Sequence, residues 1–324
     1  MRLIEQSTHA LARTLLSVLT LSAVPSIAQP WPQHTVRVIV PLPPGIPTDL
    51  VCRLFAERLA ERWHQPVVVE NRQGADGIPA VSGFVSARDD HTLLCSFPGI
   101  VTINPLIYEK LPYDPSRDLV PVVSLSDNFI GIAAPTALKV NSLDDFVKLA
   151  RSQPGKLNWA ASPGNPVYGF AAFLKSSGIE MVQISYRDFR PALQDAGEGR
   201  IQAVATGVGA LLPLAHAGKL KLLIVHNRQR SPQAPEVPTA IEAGYPELTL
   251  EGLTGFYGSR DMPADFKERI AADVRAAAAD PAMAERVASV GSALHVGTPA
   301  EFAAAIEEQR AKIAAIARTM KPTQ

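Results

Sequence analysis

The chain has 324 residues, more than one hydrophobic core usually serves, so we expect two domains. The chain has 31 Lys and Arg residues and 31 Asp and Glu residues, so its formal net charge is zero and does not attract nucleic acid or acidic lipid. With 47% hydrophobic and 19% charged residues, the composition is that of an ordinary globular protein.

Residues 1–28 have the order of a secretory signal peptide. Two arginines precede an apolar run at 15–24, small residues follow, and the signal-peptidase site falls after Ala28. The run is too short for a comfortable transmembrane helix, and no cysteine follows it to receive a lipid. A buried first helix is the less favoured alternative. We therefore expect an exported, soluble, periplasmic protein that begins at Gln29.

From Thr35 onward, predicted strands and helices alternate. The run 35–40 is rich in β-branched residues, and Thr48 is predicted to cap a helix whose apolar residues recur at helical spacing. The next predicted elements are a short buried strand at 67–69, a glycine loop at 74–77, a helix at 79–87 and a strand at 92–95. This βαβαβ order favours a parallel sheet with helices on its faces.

The middle of the chain repeats this alternation. Strands are predicted near 129–134, 157–161, 181–185, 201–205 and 220–225, and helices near 143–152, 168–176 and 191–197. The tail, 263–320, is predicted to form helices broken around 280–281 and 297–299. We predict an α/β protein with two lobes, each a mostly parallel sheet flanked by helices, and a ligand cleft between them.

Two cysteines, Cys52 and Cys95, fall on a predicted helix and a predicted strand. An oxidising compartment permits a bridge between them, but linear spacing does not fix their distance. We favour two unpaired, buried cysteines that act as small apolar side chains.

Three loops have the features of an anion-binding site. The loop 42–49 leads straight into a helix, so its free N–H groups and the helix dipole can face a carboxylate. Gly74 and Gly77 allow a backbone to approach a ligand closely, and 162–166 precedes another helix. Each loop alone is more simply an ordinary βα turn. Together they predict a site for an anionic ligand beyond the carboxyl ends of the strands.

Several signatures of catalysis and of cofactor binding are missing from the sequence. There is no glycine-rich nucleotide motif, no paired His or Cys spacing for a metal, and no G-x-S-x-G elbow. His216 and His226 are interpreted as solvated or capping residues. We predict no cofactor, no metal and no catalytic residue, although apposed catalytic groups can be remote in sequence.

A series of strings, taken in order, resembles one receptor family. The strings are 38–45 with 48–49, 66–72, 74–77, 103–105, 111–115, 154–158, 217–220, 237–240 and 242–244. They are similar to the Bug-type receptors of the tripartite tricarboxylate transporter family, which are extracytoplasmic solute-binding proteins. The resemblance runs over almost the full mature length.

The resemblance implies a type II periplasmic binding-protein fold, with 29–123 plus 226–324 as one lobe and 124–225 as the other. It implies a monomeric clamp that closes on a small organic carboxylate and delivers it to membrane permease subunits or to a sensor, without nucleic acid. The first two loops would hold the carboxylate largely through backbone groups and water. The predicted ligand-binding residues are Pro44, Gly45, Ile46, Thr48, Asp49, Gly74, Ala75, Asp76, Gly77, Phe97, Ser162, Gly164, Asn165, Tyr168, Tyr186 and Thr206.

The chain departs from the family pattern at several of these positions. Ile46 stands where the family has a second glycine, and Thr206 stands where it often has an acidic residue. The third loop is shorter and lacks the family's His, and 186–188 replaces Tyr-Lys-Gly. These changes leave the identity of the ligand open.

Two further hypotheses come from other functional classes. One is an exported enzyme on the same fold that uses Cys52 or Asp49 as a reactive group. The other is an orphan interaction module whose cleft is filled by Ile46 and the altered third loop.

Overall fold

Two β-sheets with helices packed on their faces make up this protein. The computed structural model describes residues 31–186 and 189–318. Residues His34–Gln324 form one unit, whose described part contains both sheets. The predicted signal peptide, 1–28, and its cleavage site lie outside the described residues. In the described part, no helix is both long enough and apolar enough to cross a bilayer.

The first sheet is mixed. Its strands are β1 (Val36–Val40), β2 (Val67–Asn71), β3 (Thr92–Ser96), β4 (Leu119–Asn128), β10 (Gly252–Ser259) and β11 (Ser292–Leu294), in the order β11-β4-β10-β3-β1-β2. β1 runs parallel to β2 and to β3, as the βαβαβ pattern predicts. β10 runs antiparallel to β3 and β4, and β11 runs antiparallel to β4.

The second sheet is also mixed. Its strands are β5 (Ile130–Pro135), β6 (Asn158–Ala161), β7 (Val182–Gln183), β8 (Ala203–Gly207) and β9 (Leu220–Val225), in the order β7-β6-β8-β5-β9. β6 runs parallel to β7 and β8, whereas β5 is antiparallel to β8 and β9. The α/β class and the two-sheet layout are confirmed. The prediction that each sheet is mostly parallel is wrong, because both sheets are mixed.

Eleven α-helices accompany these strands within the described residues. They are α1 (Pro47–Trp63), α2 (Ile78–Ala87), α3 (Gly99–Thr102), α4 (Asn104–Ile107), α5 (Leu143–Ser152), α6 (Asn165–Ser177), α7 (Phe189–Gly197), α8 (Val208–His216), α9 (Ala264–Ala278), α10 (Pro281–Ser289) and α11 (Pro299–Ala317). The predicted breaks in the tail are confirmed. Asp280 caps α10 through its side chain, and Thr298 forms a capping box with Glu301 at the start of α11.

Successive residues of a strand point to opposite faces of a sheet. Both faces of the second sheet are apolar, so the sheet packs against two separate cores. Ile132 and Trp159 face a cluster that includes Phe146 of α5 and Phe170 of α6. The core on the other face is built from these residues: Ala133, Ala160, Val204, Ala192 and Ala196 of α7, and Val208 and Leu211 of α8. Burying each large apolar side chain contributes about 1.5–3 kcal/mol, so these faces hold the helices in place.

The strands β4 and β10 were not predicted from the sequence. Pro121 interrupts β4, and three glycines dilute the β-branched signal of β10. The structure explains one of those glycines, because a Cβ at Gly255 would collide with the ring of Phe302. Packing therefore requires a residue that local β-propensity disfavours.

The strand β2 is longer and less buried than expected. It lies at the edge of the first sheet, where Val68 is 46% exposed. The predicted short buried strand at 67–69 is wrong in this respect. A run of valines gives no information about whether a strand lies at the centre or the edge of a sheet.

Cys52 and Cys95 form a disulfide bond, with 6.2 Å between their Cα atoms. The expectation of unpaired cysteines is therefore wrong. Both side chains are fully buried. The bridge joins α1 to β3 within the first lobe, across 43 residues of sequence.

The chain passes between the sheets twice. β4 stays in the first sheet as far as Asn128, and β5 enters the second sheet at Ile130. The segment after β9 stays against the second sheet: the N–H of Val225, the last residue of β9, donates to the carbonyl of Pro238 over 2.9 Å, and Leu248 packs in a core of that sheet. The chain re-enters the first sheet with β10 at Gly252.

Candidate ligand-binding site

The first loop ends in a helix that no side chain caps. Gly45 has a left-handed backbone with φ of 86°, and Ile46 is the N-cap residue of α1. Pro47 fits the first helical turn because its fixed φ suits a helix and it has no N–H to satisfy. Thr48 is therefore not the N-cap that the sequence predicted. Its hydroxyl accepts a hydrogen bond from Asn128 Nδ2 at 3.0 Å instead.

The side chain of Asp49 holds this loop in place through hydrogen bonds. Its carboxylate is fully buried and accepts hydrogen bonds from Gly45 N at 2.8 Å, Arg53 Nε at 3.0 Å and Asn71 Nδ2 at 2.8 Å. Burial by itself raises the pKa of Asp49, but the three donors together lower it below the ordinary value. The hydrogen-bond acceptors of Asp49 are therefore used within the protein, and the role of this side chain is to position the backbone of the loop.

The second loop is held in an unusual conformation. Gly74, Ala75, Asp76 and Gly77 all have positive φ angles. For Ala75 and Asp76 this conformation costs on the order of 1 kcal/mol or more, and such strain clusters at functional sites. A side chain at Gly77 would approach Pro41 to 2.8 Å, so glycine is required there.

Two polar side chains from α4 and the loop after it fasten the second loop. Asn104 Nδ2 donates to the carbonyl oxygen of Asp76 at 3.0 Å and to Tyr113 Oη at 3.1 Å. Tyr108 Oη donates to Asp76 Oδ2 at 2.5 Å. That hydrogen bond, followed by burial, raises the pKa of Tyr108 to about 12. No role for Asn104 or Tyr108 was predicted from the sequence, because their partner is 28 or more positions away.

The second-lobe residues divide into two groups. Thr206 Oγ1 donates to Ser162 Oγ at 3.0 Å, and Asn165 Nδ2 donates to the carbonyl of Glu251 at 3.2 Å, so these lie around the start of α6. Gly164 is the N-cap of α6, and no side chain caps that helix. Tyr186 is engaged elsewhere, because its hydroxyl donates to Asp195 Oδ2 at 2.6 Å. Of the predicted string 186–188, residues 187 and 188 lie outside the described residues.

The two lobes meet at a small apolar seam. Tyr168 of α6 packs in one cluster with Ile103, Leu250 and Ile313. Ile103 directly precedes Asn104, which holds the second loop. Burial, and then the negative charge of Asp76, raises the pKa of Tyr168. The second loop of one lobe and the first helix turns of α6 in the other therefore lie at the same seam.

Phe97 follows β3 and packs against the first lobe's core. Its ring occupies the space beside Gly99, where a Cβ would approach it to 2.5 Å. Phe97 is partly exposed. The structure thus places it between the disulfide-bearing strand and α3.

Two other features lie away from these loops. A groove of about 740 Å³ runs along the edge strand β9, and none of the predicted ligand residues is among the described residues that line it. Asp89, Asp90 and His91 bring ligand atoms within 4.8 Å of one another, a cluster that the sequence reasoning did not identify. The Asp89 carboxylate already accepts hydrogen bonds from His91 N at 2.7 Å and Thr92 Oγ1 at 3.0 Å.

Of the two alternatives predicted for His226, a solvated residue or a capping residue, the solvated one is wrong. His226 is 1% exposed, and Nδ1 lies 2.7 Å from the carbonyl oxygen of Leu248, to which it donates. His216, by contrast, is exposed at the last turn of α8, as predicted.

Residues 51–321 match the family model described as tripartite tricarboxylate transporter family receptor. The chain belongs to this receptor family. The receptor is 28% identical to BugT of Bordetella pertussis over 91% of its own length and 92% of that protein. The predicted Bug-type resemblance is confirmed, and receptors of this family are periplasmic.

Two solved structures share the receptor's fold. One is an R. palustris protein with adipate, at 28% identity and a TM-score of 0.78, covering 90% of the receptor and 98% of that chain. The other is MatC from Rhodopseudomonas palustris with bound malate, at 26% identity and a TM-score of 0.74, covering 89% of the receptor and 100% of that chain.

Proposed function

We propose that the receptor binds a small organic carboxylate at the seam between its lobes and delivers it to a membrane transporter or a sensor. The observation that carries this proposal is the pair of uncapped helix N-termini, one from each lobe, beside the left-handed second loop. Free N–H groups and the helix dipole favour a carboxylate at such a place. The adipate and malate held by the two structural neighbours support this ligand class.

The binding mode would rely on backbone groups. Gly45, Gly74 and Gly164 adopt positive φ angles and leave open space at their Cα atoms, so a ligand can approach the chain closely. Ile46 adds a branched side chain beside this path. We therefore expect a smaller ligand than a glycine at this position would admit.

The lobe limits can be drawn from the sheets. Because Ser124 lies inside β4, we place the first crossover at Phe129 and the return near Glu251. Residues 34–128 with 252–318 would then form the first lobe, and 129–251 the second. Closure would be a hinge motion about these two crossovers.

Export, subunit state and the absence of catalysis belong to the same proposal. The receptor would be cleaved after Ala28, act as a monomer and catalyse no reaction. Against the enzyme hypothesis, Cys52 is held in a disulfide and Asp49 is buried under three donors, so neither is positioned as a reactive group.

Gly164→Ala tests the site. The added Cβ meets nothing within 4 Å but forces the N-cap of α6 out of its backbone conformation, at φ of 89°. We expect stability to fall by about 1–2 kcal/mol and carboxylate affinity to fall at least about tenfold. Affinity is measured by calorimetry with the acid that gives the largest thermal shift in a screen of the mature receptor.

Gly155→Ala is the matched control, with φ of 70° and equally open space. It lies before β6, away from the carboxyl ends of the strands, so stability should fall similarly while affinity stays unchanged. Equal affinity in the two variants would contradict the assigned site. No thermal shift with any acid would favour a filled cleft instead.

A further inference from the structure

The ligand loops carry an unusual balance of charge. The segments 42–49, 74–77, 97–104 and 162–168 contain no Lys, Arg or His. Their two charged residues are Asp49 and Asp76. Asp49 is neutralised by Arg53 at 3.0 Å and is fully buried. Asp76 is exposed, and the described part of the chain places a neutral tyrosine hydroxyl, not a cation, against its carboxylate.

The Asp76 carboxylate lies at the seam between the lobes. Tyr108 holds its Oδ2 atom at 2.5 Å, and Asn104 holds its backbone carbonyl at 3.0 Å. Ile103, the neighbour of Asn104, packs in one cluster with Tyr168 of the second lobe. A ligand that reaches both the second loop and the start of α6 therefore passes close to this negative charge.

The bond from Tyr108 fastens the second loop, but within the described residues it leaves the negative charge of Asp76 without a cation. Gly77, not Asp76, is the N-cap residue of α2, and no side chain caps that helix. The backbone of Asp76 has φ of 49°, a conformation in which glycine is unstrained. An aspartate here adds strain and a like charge that repels a carboxylate ligand, and its partner in the described residues, the Tyr108 hydroxyl, is neutral and does not offset that charge.

We propose that Asp76 selects ligands that carry a protonated amino group beside their carboxylate. The carboxylate would face the N-termini of α1 and α6, and the ammonium group would donate to Asp76. The receptor would thus take zwitterionic amino acids in preference to plain dicarboxylates of the same carbon skeleton. This inference rests on the proposed carboxylate-binding function and names its substrate class.

Matched ligand pairs test this specificity. Calorimetry on the mature receptor compares succinate with aspartate, glutarate with glutamate, and adipate with 2-aminoadipate. We expect the amino member of at least one pair to bind about tenfold or more tightly, as one charge-assisted hydrogen bond would give. D76N should reduce that ratio by a similar factor. The matched control D144N changes another exposed aspartate that accepts from a tyrosine hydroxyl, outside the ligand loops, and should preserve the ratio.

Each outcome decides between the two proposals. Plain acids that bind as tightly as their amino counterparts, or a ratio unchanged in D76N, overturn the role of Asp76 and leave the receptor function standing. No binding in any pair, together with no thermal shift in a broad acid screen, overturns both. If D76N does not fold, Asp76→Gly serves in its place, because glycine suits the left-handed backbone at this position.

Discussion

Buried polar side chains set the properties of this protein at the scale of single residues. Asp49, Asn104 and His226 each sit almost out of contact with solvent, and each is bonded to the backbone of a loop. A buried polar group is stabilising only when it has such a partner. Asp49 meets this condition with several donors, whereas Nε2 of His226 has no partner among the described residues.

His226 should make stability depend on pH. Burial lowers the pKa of His226 to about 4, from an ordinary 6.5, and the hydrogen bond to Leu248 only partly opposes this shift. The unfolded chain then binds a proton that the folded chain does not, so stability is lost as the pH falls from about 6.5 towards 4. The contribution can reach about 1.4 kcal/mol per pH unit.

His226→Asn keeps a donor towards Leu248 and removes the titrating ring. In urea unfolding across this pH range, the variant should lose less stability on acidification than the wild type. His216→Gln is the control, because that side chain is exposed. If both variants lost as much stability as the wild type on acidification, His226 would not be the group that causes the pH dependence.

At the scale of elements, the position of α1 is fixed by more than its apolar face. The helix packs against β2 and α9, and its Cys52 is bonded to Cys95 of β3. Asn71 at the end of β2 links the first loop and α1, because its Nδ2 donates to Leu42 O at 3.0 Å and to Asp49. The start of α1 is thereby held at the carboxyl end of the sheet, where a ligand can reach it.

Breaking the disulfide should lower stability without changing the fold. The double variant C52A/C95A loses a constraint on the unfolded chain across 43 residues. We expect a loss of about 2–4 kcal/mol in denaturant unfolding, with an unchanged circular dichroism spectrum. Thiol labelling of the unfolded wild type should find no free thiol before reduction. Two reactive thiols would show that the bond does not form.

The two crossovers govern behaviour at the scale of the whole molecule. Asn128 Nδ2 donates to Thr48 and to Thr254 Oγ1, at 3.0 and 2.9 Å. Asn227, on the return path, donates from Nδ2 to the backbone carbonyl of Asn128 at 3.1 Å, and its Oδ1 accepts from Ile130 N at 3.3 Å. One polar network thus joins both crossovers to the first turn of α1.

Asn227→Ala should loosen this junction. The change leaves Ile130 N–H and the Asn128 carbonyl without their partner in a buried place, at a cost of about 1–3 kcal/mol. We expect faster hydrogen exchange at Ile130, the first residue of β5, and a lower unfolding free energy, with the other strand residues as protected as in the wild type. Unchanged exchange at Ile130 would show that Asn227 does not hold the crossovers together.

The alternation of strands and helices, the breaks in the tail and the three loops could be predicted from the sequence, because these depend on local periodicity and on Gly and Pro. Most of the predicted helices and strands lie within a few residues of the observed ones, and α5 matches residue for residue. Family membership could also be predicted from the sequence, since it rests on an ordered series of short strings.

The partners of those local elements could not be predicted, because they depend on how the whole chain packs. Gly255 of β10 is explained by the contact with Phe302, and the disulfide by the packing of α1 on the sheet that contains β3. Asn104 and Asn128 act on residues far away in sequence. Residue propensities and hydrophobic patterns predict how a segment folds. Burial, strand and disulfide pairing, and the partners of charged groups depend on which segments meet, and that depends on the packing of the whole chain.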